Sequence, residues 1–395
     1  MSKTIEIIKG VNWVGSLDPG LRRFDILLET EHGSTYNSYL VKGANKTALI
    51  DTTKHGFEQE FIKTVKAQLN GRSLDYLVVN HTEPDHSYAT IEILKNFPEI
   101  MVYATKPAII FLKNIVNADF KYVIADDGSK LDLGGKKLQF IKVPFLHWPD
   151  TMFTYLEEDN ILFSCDGFGS HFCDEKMFND LVDNFDYDSH YYYDMIVRPF
   201  KAKVLEAIKK VIDLQINIDI ICPSHGPILR DKPSFFIERY AKWSQPLVED
   251  TDRSIMVLYN SAHENTKNMA YKFQEYFKED KVVVIDAVET PLNVIRDEFE
   301  KAKVLLVGSP TILGDVPYPI WHSLSFLPTV PNKIKIAAAF GSYGWSGEAV
   351  KKITSRLKDL KLKVVDPGVR VNFIPNKDDF VQLEELAEKI KNELQ

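Results

Sequence analysis

Residues able to bind metal recur in this chain where apolar strand-like runs stop. Tyr76-Leu77-Val78-Val79 leads directly into Asn80-His81-Thr82-Glu83-Pro84-Asp85-His86. His147 follows the run that begins LQFIKVP at 138, Asp166 follows ILFSC, and His225 follows DIICPS. A fold that gathers them must align the carboxyl ends of several strands along one rim. The surrounding rhythm agrees. Residues 1–250 carry closely spaced strand-like runs (VNWVGS, FDILLE, TYNSYLVKG, TALID) punctuated by turn residues, and later strands alternate with helical stretches at 57–69 and 200–215. Meander followed by alternation predicts two sheets with helices outside, an αββα sandwich.

From about residue 253 the pattern changes. SIMVLY, KVVVID, KVLLVGS, IKIAAAFGS and KLKVVD are near-continuous apolar runs, with helical candidates at 265–279, 291–300, 346–358 and 378–394. Such runs between helices predict a doubly wound parallel sheet of the flavodoxin-like size class, residues 253–395, covered on both faces. Ligands of such sheets bind at the strands' carboxyl ends. The boundary is expected within Ser244–Arg253, a polar segment containing Pro246.

Composition narrows the functional classes. The net charge of −8 opposes phosphate backbones, so nucleic acid is not an expected partner. No apolar run approaches the about 18 residues of a membrane helix, and the N-terminus lacks a signal-peptide layout. Cys165, Cys173 and Cys222 form no C-x-x-C pair, so a cytoplasmic location is expected.

On an extended backbone, residues two apart point the same way, so His81, Glu83 and Asp85 can converge. The bend at Pro84 lets Asp85 and His86 address a second point. With His147, Asp166 and His225 the set holds four imidazoles, three carboxylates and no thiolate. Seven ligands exceed the needs of one ion and imply two, bridged by a carboxylate. This donor set suits iron or manganese, and also a hydrolytic dizinc site; the alternative to a redox centre is thus a dizinc hydrolase with an attached flavodoxin-like domain. An anionic oxygen at Glu83 favours the harder ferric state. His171 and His190 are weaker candidates, suited to supporting or surface roles.

The motifs H-x-E-x-D-H, L-H-W-P-D, S-x-D-G-F-G and P-S-H-G, followed by a flavodoxin-like region, resemble the flavodiiron proteins (A-type flavoproteins). The resemblance spans essentially the whole chain, with a metallo-β-lactamase-like domain first. It implies that His81, Glu83 and His147 bind one iron, that Asp85, His86 and His225 bind the other, and that Asp166 bridges them. Asp51 is then expected to support the site rather than to bind metal, and His171 and Tyr193 to donate to bound oxygen species. The implied reaction is reduction of dioxygen to water, of nitric oxide to nitrous oxide, or both. The resemblance further implies a head-to-tail homodimer or a tetramer. No paired C-x-x-C motifs follow the second domain, so an external donor is expected: rubredoxin, a flavoprotein reductase or a reduced deazaflavin coenzyme.

The second domain offers a flavin site. Ser261-Ala262-His263-Glu264-Asn265-Thr266 follows its first strand and precedes a helix, where backbone N–H groups can cradle a phosphate. Gly308-Ser309-Pro310-Thr311, with Gly314 beyond, and Gly341-Ser342-Tyr343-Gly344-Trp345 follow its third and fourth strands. Small residues admit a planar ring, and Tyr343 and Trp345 can lie against it. FMN is expected rather than FAD or a nicotinamide cofactor, because no G-x-G-x-x-G follows a strand. Relatives usually carry glycine where this chain has Glu264, so its side chain is expected to point outward, or else the grip on the flavin phosphate to be weakened.

Overall fold

The structure, a computed structural model, describes residues 4–247 and 254–394. The chain forms two compact units, Met1–Gln245 and Pro246–Gln395. Positions 248–253 of the expected boundary lie outside the described residues.

In the first unit a seven-stranded sheet runs in the order Ile5–Ile8, Val11–Trp13, Tyr39–Lys42, Thr47–Ile50, Tyr76–Val79, Met101–Ala104, Tyr122–Ile124. Its first four strands form an antiparallel meander and the rest are parallel. A five-stranded sheet (Lys130–Asp132, Lys137–Lys142, Met152–Leu156, Ile161–Cys165, Ile220–Pro223) is antiparallel until its final, parallel pair. Period-two alternation splits each central strand between two cores. Val78, Phe140 and Phe163 lie between the sheets. Leu77 and Val79 face the helices Glu58–Leu69 and Lys106–Val116, whereas Ile141 and Leu162 face Lys201–Asp213 and Pro233–Trp243. The layers are therefore αββα. Lys106–Val116 shows why a helix starts and stops where it does: the Thr105 hydroxyl accepts from the Ala108 N–H, Pro107 lies in the first turn, and Asn117 ends it in the left-handed conformation.

The second unit is a parallel sheet in the order Lys281–Asp286, Ser254–Tyr259, Val304–Gly308, Ile336–Tyr343, then Lys363–Val364, with Val369–Asn372 also pairing with Ile336–Tyr343. Helices Asn265–Tyr276 and Lys377–Leu394 cover one face; Leu292–Lys301, Tyr318–Ser325 and Glu348–Asp359 cover the other.

Three local expectations needed revision. FDILLE is not one strand: Arg23–Phe24 and Leu28–Glu29 pair with each other around Asp25 and Ile26, both at positive φ (44° and 68°), and tuck Phe24 and Leu28 against Tyr36. KLKVVD shortens to strand Lys363–Val364, and a further strand, Val369–Asn372, resumes pairing beyond Pro367 and Gly368. The helix Tyr318–Ser325, started by Pro319 in its first turn, was not anticipated.

Candidate metal centre and flavin loops

Each expected ligand leaves its strand at the rim. After Val79, the backbone N–H and side-chain amide of Asn80 both donate to the buried Asp51 carboxylate (2.7 and 3.1 Å), which fixes the exit of the strand just before His81. Burial, partly opposed by the nearby His86, pushes the Asp51 carboxyl up to about 7. Glu83 precedes a single turn of helix, Pro84–Ser87, which carries Asp85 and His86. Asp166 follows strand Ile161–Cys165 directly. His225 must be followed by glycine, since Gly226 has φ 79° and a Cβ there would meet Ser170 Oγ at 2.1 Å.

These exits gather ligand atoms into two groups, His81/Glu83/His147/Asp166 and Asp85/His86/His225, each with its atoms within 4.8 Å of one another. Glu83 Oε2 lies 3.4 Å from His81 Nε2 and 3.0 Å from His147 Nε2. Asp166 spans the groups, with Oδ2 3.6 and 3.5 Å from His81 and His147 and Oδ1 3.0 and 3.6 Å from His86 and His225. Asp85 Oδ2 is 3.0 Å from His225 Nε2.

The donor chemistry fits a pair of ions. Both Asp85 oxygens and His86 Nε2 are buried without a hydrogen bond, a costly state unless a cation satisfies them. His225 Nδ1 donates to the Thr35 carbonyl at 2.6 Å and His81 Nδ1 to Asp150 Oδ1 at 3.1 Å, so each ring turns the lone pair of Nε2 inward. Burial opposes charge on His81, His86 and His147, yet the surrounding carboxylates prevail and raise all three to about 10. A cation would take the place of those protons.

Three neighbours were not singled out from sequence. Fully buried Asp150 accepts from His81 Nδ1, from the Thr82 N–H (2.9 Å) and from the Thr82 hydroxyl (2.6 Å). Its signal was present, three residues after His147 in L-H-W-P-D. Tyr192 donates its hydroxyl to Asp166 Oδ1 at 3.2 Å. Tyr193 was expected in such a role, but its hydroxyl pairs with Ser244 Oγ at 2.9 Å beside Tyr240 and Trp243. Helix Asp186–Tyr192 gives way to a π-turn at Tyr193, so consecutive tyrosines face different directions. Asp25, on the tight hairpin, hydrogen-bonds to Glu83; burial, reinforced by Glu83 and Asp85, raises its carboxyl to about 6.

His171 belongs to neither ligand group. Its Nδ1 lies 3.0 Å from Ser34 Oγ, its ring packs on Phe24 (4.3 Å) and His225 (5.3 Å), and Nε2 is buried without a partner. Burial, with His225 adding to it, holds the ring well below its usual pKa and therefore neutral. A cleft of about 610 Å³, lined by Arg22, Glu31, Tyr187, Asp188 and Tyr191, reaches His171. His190 instead packs edge-on against Trp243.

In the second unit the first two expected loops follow strands Ser254–Tyr259 and Val304–Gly308, whereas Gly341, Ser342 and Tyr343, expected beyond the fourth strand, are the last residues of strand Ile336–Tyr343 itself, with Gly344 and Trp345 just after it. Ser261, Ala262, His263 and Glu264 lead into helix Asn265–Tyr276. Glu264 has φ 61°, a conformation glycine adopts more readily, and its exposed carboxylate pairs with Lys267 at 2.8 Å. Buried Thr266 Oγ1 meets Ser342 Oγ at 3.0 Å, tying the first loop to the third. Thr311 N–H donates to the Ser342 carbonyl, and a Cβ on Gly341 would lie 1.9 Å from the Ser309 carbonyl oxygen. Pro310 stands between Ser309 and Thr311, while Gly314 turns the chain back at φ 70°. Tyr343 is half-buried beside Gly344, and Trp345 is 88% exposed. Buried Asn260 Oδ1, at the base of these loops, has no hydrogen-bond partner.

Comparison with known proteins decides the family. Residues 35–226 match the ODP family beta lactamase profile and residues 257–389 the flavodoxin profile. The flavo-diiron protein FprA2 of Clostridium acetobutylicum is 38% identical over 389 residues, covering 95% of this chain and 96% of its own. The chain belongs to the flavodiiron protein family. The nitric oxide reductase of Moorella thermoacetica is 35% identical over 398 residues (99% of this chain, 98% of that protein). The rubredoxin oxygen:oxidoreductase of Desulfovibrio gigas superposes with a TM-score of 0.73 at 27% identity, covering 99% and 98% of the two chains. Flavodiiron membership together with the flavodoxin domain implies FMN and a non-haem diiron centre, in a metallo-β-lactamase-like fold followed by a flavodoxin-like one. No described helix is long and apolar enough to cross a membrane.

Proposed function

We propose that this flavodiiron oxidoreductase reduces dioxygen to water, nitric oxide to nitrous oxide, or both, using electrons that an external donor delivers through FMN. The observation that carries the reading is Glu83 Oε2 set between His81 and His147, an anionic oxygen that completes a ligand set of four imidazoles and three carboxylates. His81, Glu83 and His147 would hold one iron, Asp85, His86 and His225 the other, with Asp166 between them. When bound, the irons supply paired redox equivalents and open positions for a diatomic gas, and the flavin couples a two-electron donor to single-electron steps.

The chain's own groups position and protonate. Asp150 and the Thr35 carbonyl orient His81 and His225. Tyr192 hydrogen-bonds the spanning carboxylate, and a cleft ends at His171, whose ring packs on His225. Ser261, Asn265 and Thr266, with the helix N-terminus behind them, would hold the FMN phosphate; Ser309, Thr311, Ser342 and Tyr343 would flank the ring. We infer a head-to-tail homodimer, alone or paired into a tetramer, that sets one subunit's FMN beside the other's irons. The external donor is a rubredoxin, a flavoprotein reductase or a reduced deazaflavin coenzyme.

The test is metal and flavin analysis followed by turnover with each gas, using reduced rubredoxin and reduced deazaflavin in parallel. About two irons and one FMN per chain with turnover of either gas supports the reading; zinc in the sites with no gas reduction refutes it. His147→Ala is expected to cut turnover by about 100-fold or more while leaving FMN bound.

A further inference from the structure

A connected set of oxidisable rings runs from the spanning ligand to the surface of the first unit. Tyr192 Oη donates to Asp166 Oδ1 at 3.2 Å. Tyr193 is its chain neighbour, about 3.8 Å away at Cα, and the Tyr193 ring lies 5.1 Å from the rings of both Tyr240 and Trp243. Tyr240 and Trp243 are themselves 5.7 Å apart. A second link joins the set to the same loop, since Phe168, which follows Asp166-Gly167, packs on Tyr240 at 4.7 Å. The three tyrosines are buried, whereas Trp243, the last residue of helix Pro233–Trp243, is half-buried and meets solvent. The neighbouring ladder Phe172–Phe185–Phe236, with rings 5.7 and 6.1 Å apart, contains no oxidisable ring.

Phenol and indole rings yield one electron to a strong oxidant, and rings in contact exchange it quickly because electronic coupling falls steeply with distance. Their couples are too oxidising to relay electrons between a flavin and the irons in ordinary turnover. Only a centre short of electrons draws on them. A diiron pair holds half the electrons that reduction of dioxygen to water consumes, and FMN must bring the rest. When the flavin electrons do not arrive, Trp243 can supply one through Tyr193 and Tyr192. The Arg239 guanidinium, 4.6 Å from the Trp243 ring, disfavours a positive radical there. The indole N–H proton therefore leaves to water and a neutral indolyl radical remains. A thiol in solution returns one electron and one proton to it and becomes the thiyl radical.

We propose that Tyr192, Tyr193, Tyr240 and Trp243 form a protective hole-transfer route, which moves oxidising equivalents from the metal centre to the surface when flavin electrons run short. The inference rests on the dioxygen side of the proposed function, but its test needs only bound iron. The iron- and FMN-loaded protein, fully oxidised, is mixed in air with hydrogen peroxide, which withdraws two electrons as it becomes water. Samples frozen for electron paramagnetic resonance are expected to show a tryptophan radical that is lost in Trp243→Phe and in protein carrying zinc instead of iron. No radical, or one unchanged in Trp243→Phe, overturns the proposal. So does a radical confined to Trp148, which meets His81 at 5.0 Å but lies outside the set. Should Trp243→Phe fold poorly, peptide mass spectrometry of the native chain decides. Trp243 should gain oxygen faster than Trp345, although Trp345 is 88% exposed, and zinc should reverse that order. Faster oxidation of Trp345 in the iron protein refutes the route. A radical at Trp243 in a protein that reduces neither gas supports the route and refutes the functional reading.

Discussion

Asp150 makes no contact with a reacting atom in this geometry, yet it sets the lone-pair direction of His81. Three donors converge on its buried carboxylate: His81 Nδ1, the Thr82 N–H and the Thr82 hydroxyl. In Asp150→Ala the hydroxyl can rotate to another acceptor, but the imidazole and backbone N–H groups cannot. Two buried donors left unpaired, at about 1–3 kcal/mol each, destabilise the first unit by about 4 kcal/mol, a large share of a typical domain's stability. Asp150→Asn is the more discriminating variant. It keeps the shape and one acceptor oxygen, so the fold should survive with a loss of about 1–2 kcal/mol. Its amide cannot stabilise His81 as a carboxylate does, and metal affinity at the His81 group should fall by about 10- to 100-fold. The Asp85/His86/His225 group, which does not touch Asp150, should keep its ion. The assay is iron occupancy after equilibration against a graded chelator, with a urea melt of each variant. An Asp150→Asn protein whose two sites release iron on the native curve would refute the reasoning.

Three further outcomes follow from the geometry. Anaerobic titration of the metal-free protein with ferrous ion at pH 8 should release protons, read with an indicator dye in weak buffer, because His81, His86 and His147 are raised to about 10 there. The same shifts give the sign of the metal-free protein's pH dependence. Their stabilisation is full below the ordinary imidazole value of 6.5 and is lost as pH climbs through 10, so thermal midpoints should fall across that window. Tyr192→Phe removes a hydrogen bond to Asp166 and should lower turnover and perturb the iron spectrum, whereas Tyr193→Phe, which severs the Ser244 pairing, should leave that spectrum native. Gly341→Ala drives a Cβ to 1.9 Å from the Ser309 carbonyl and should abolish FMN retention on gel filtration while leaving metal content unchanged.

Most ligands were legible because they lie within a few residues of an apolar run's end at the rim, where a strand leaves its next residues little choice of direction; His147, five residues beyond Lys142, sits inside the loop that follows. The αββα layers and the parallel sheet were legible for a related reason, since period-two alternation and near-continuous apolar runs report how many faces a strand buries. What escaped depends on paths through loops and on helical rotation. Asp150 reaches His81 only because the 143–151 loop folds back on itself, and nothing in Tyr192-Tyr193 says which hydroxyl meets Asp166 until the π-turn fixes their rotation. Phe24–Glu29 reads as a strand by composition, yet it pairs with itself, and its turn brings Asp25 to Glu83. Glu264 illustrates the reverse case: its sequence flagged a misfit, and a left-handed backbone with an outward Lys267 pair accommodates it.

The ligand groups divide unequally between the two sheets. His81, Glu83, Asp85 and His86 issue from the rim of the seven-stranded sheet, and His147, Asp166 and His225 from that of the five-stranded one. Neither layer can complete either coordination sphere alone. An ion in each group therefore acts as a rivet across the seam of the sandwich, and its removal should loosen that seam first. Amide exchange in the metal-free protein would quicken along the strand ends nearest residues 81, 166 and 225 before the buried middles of the same strands.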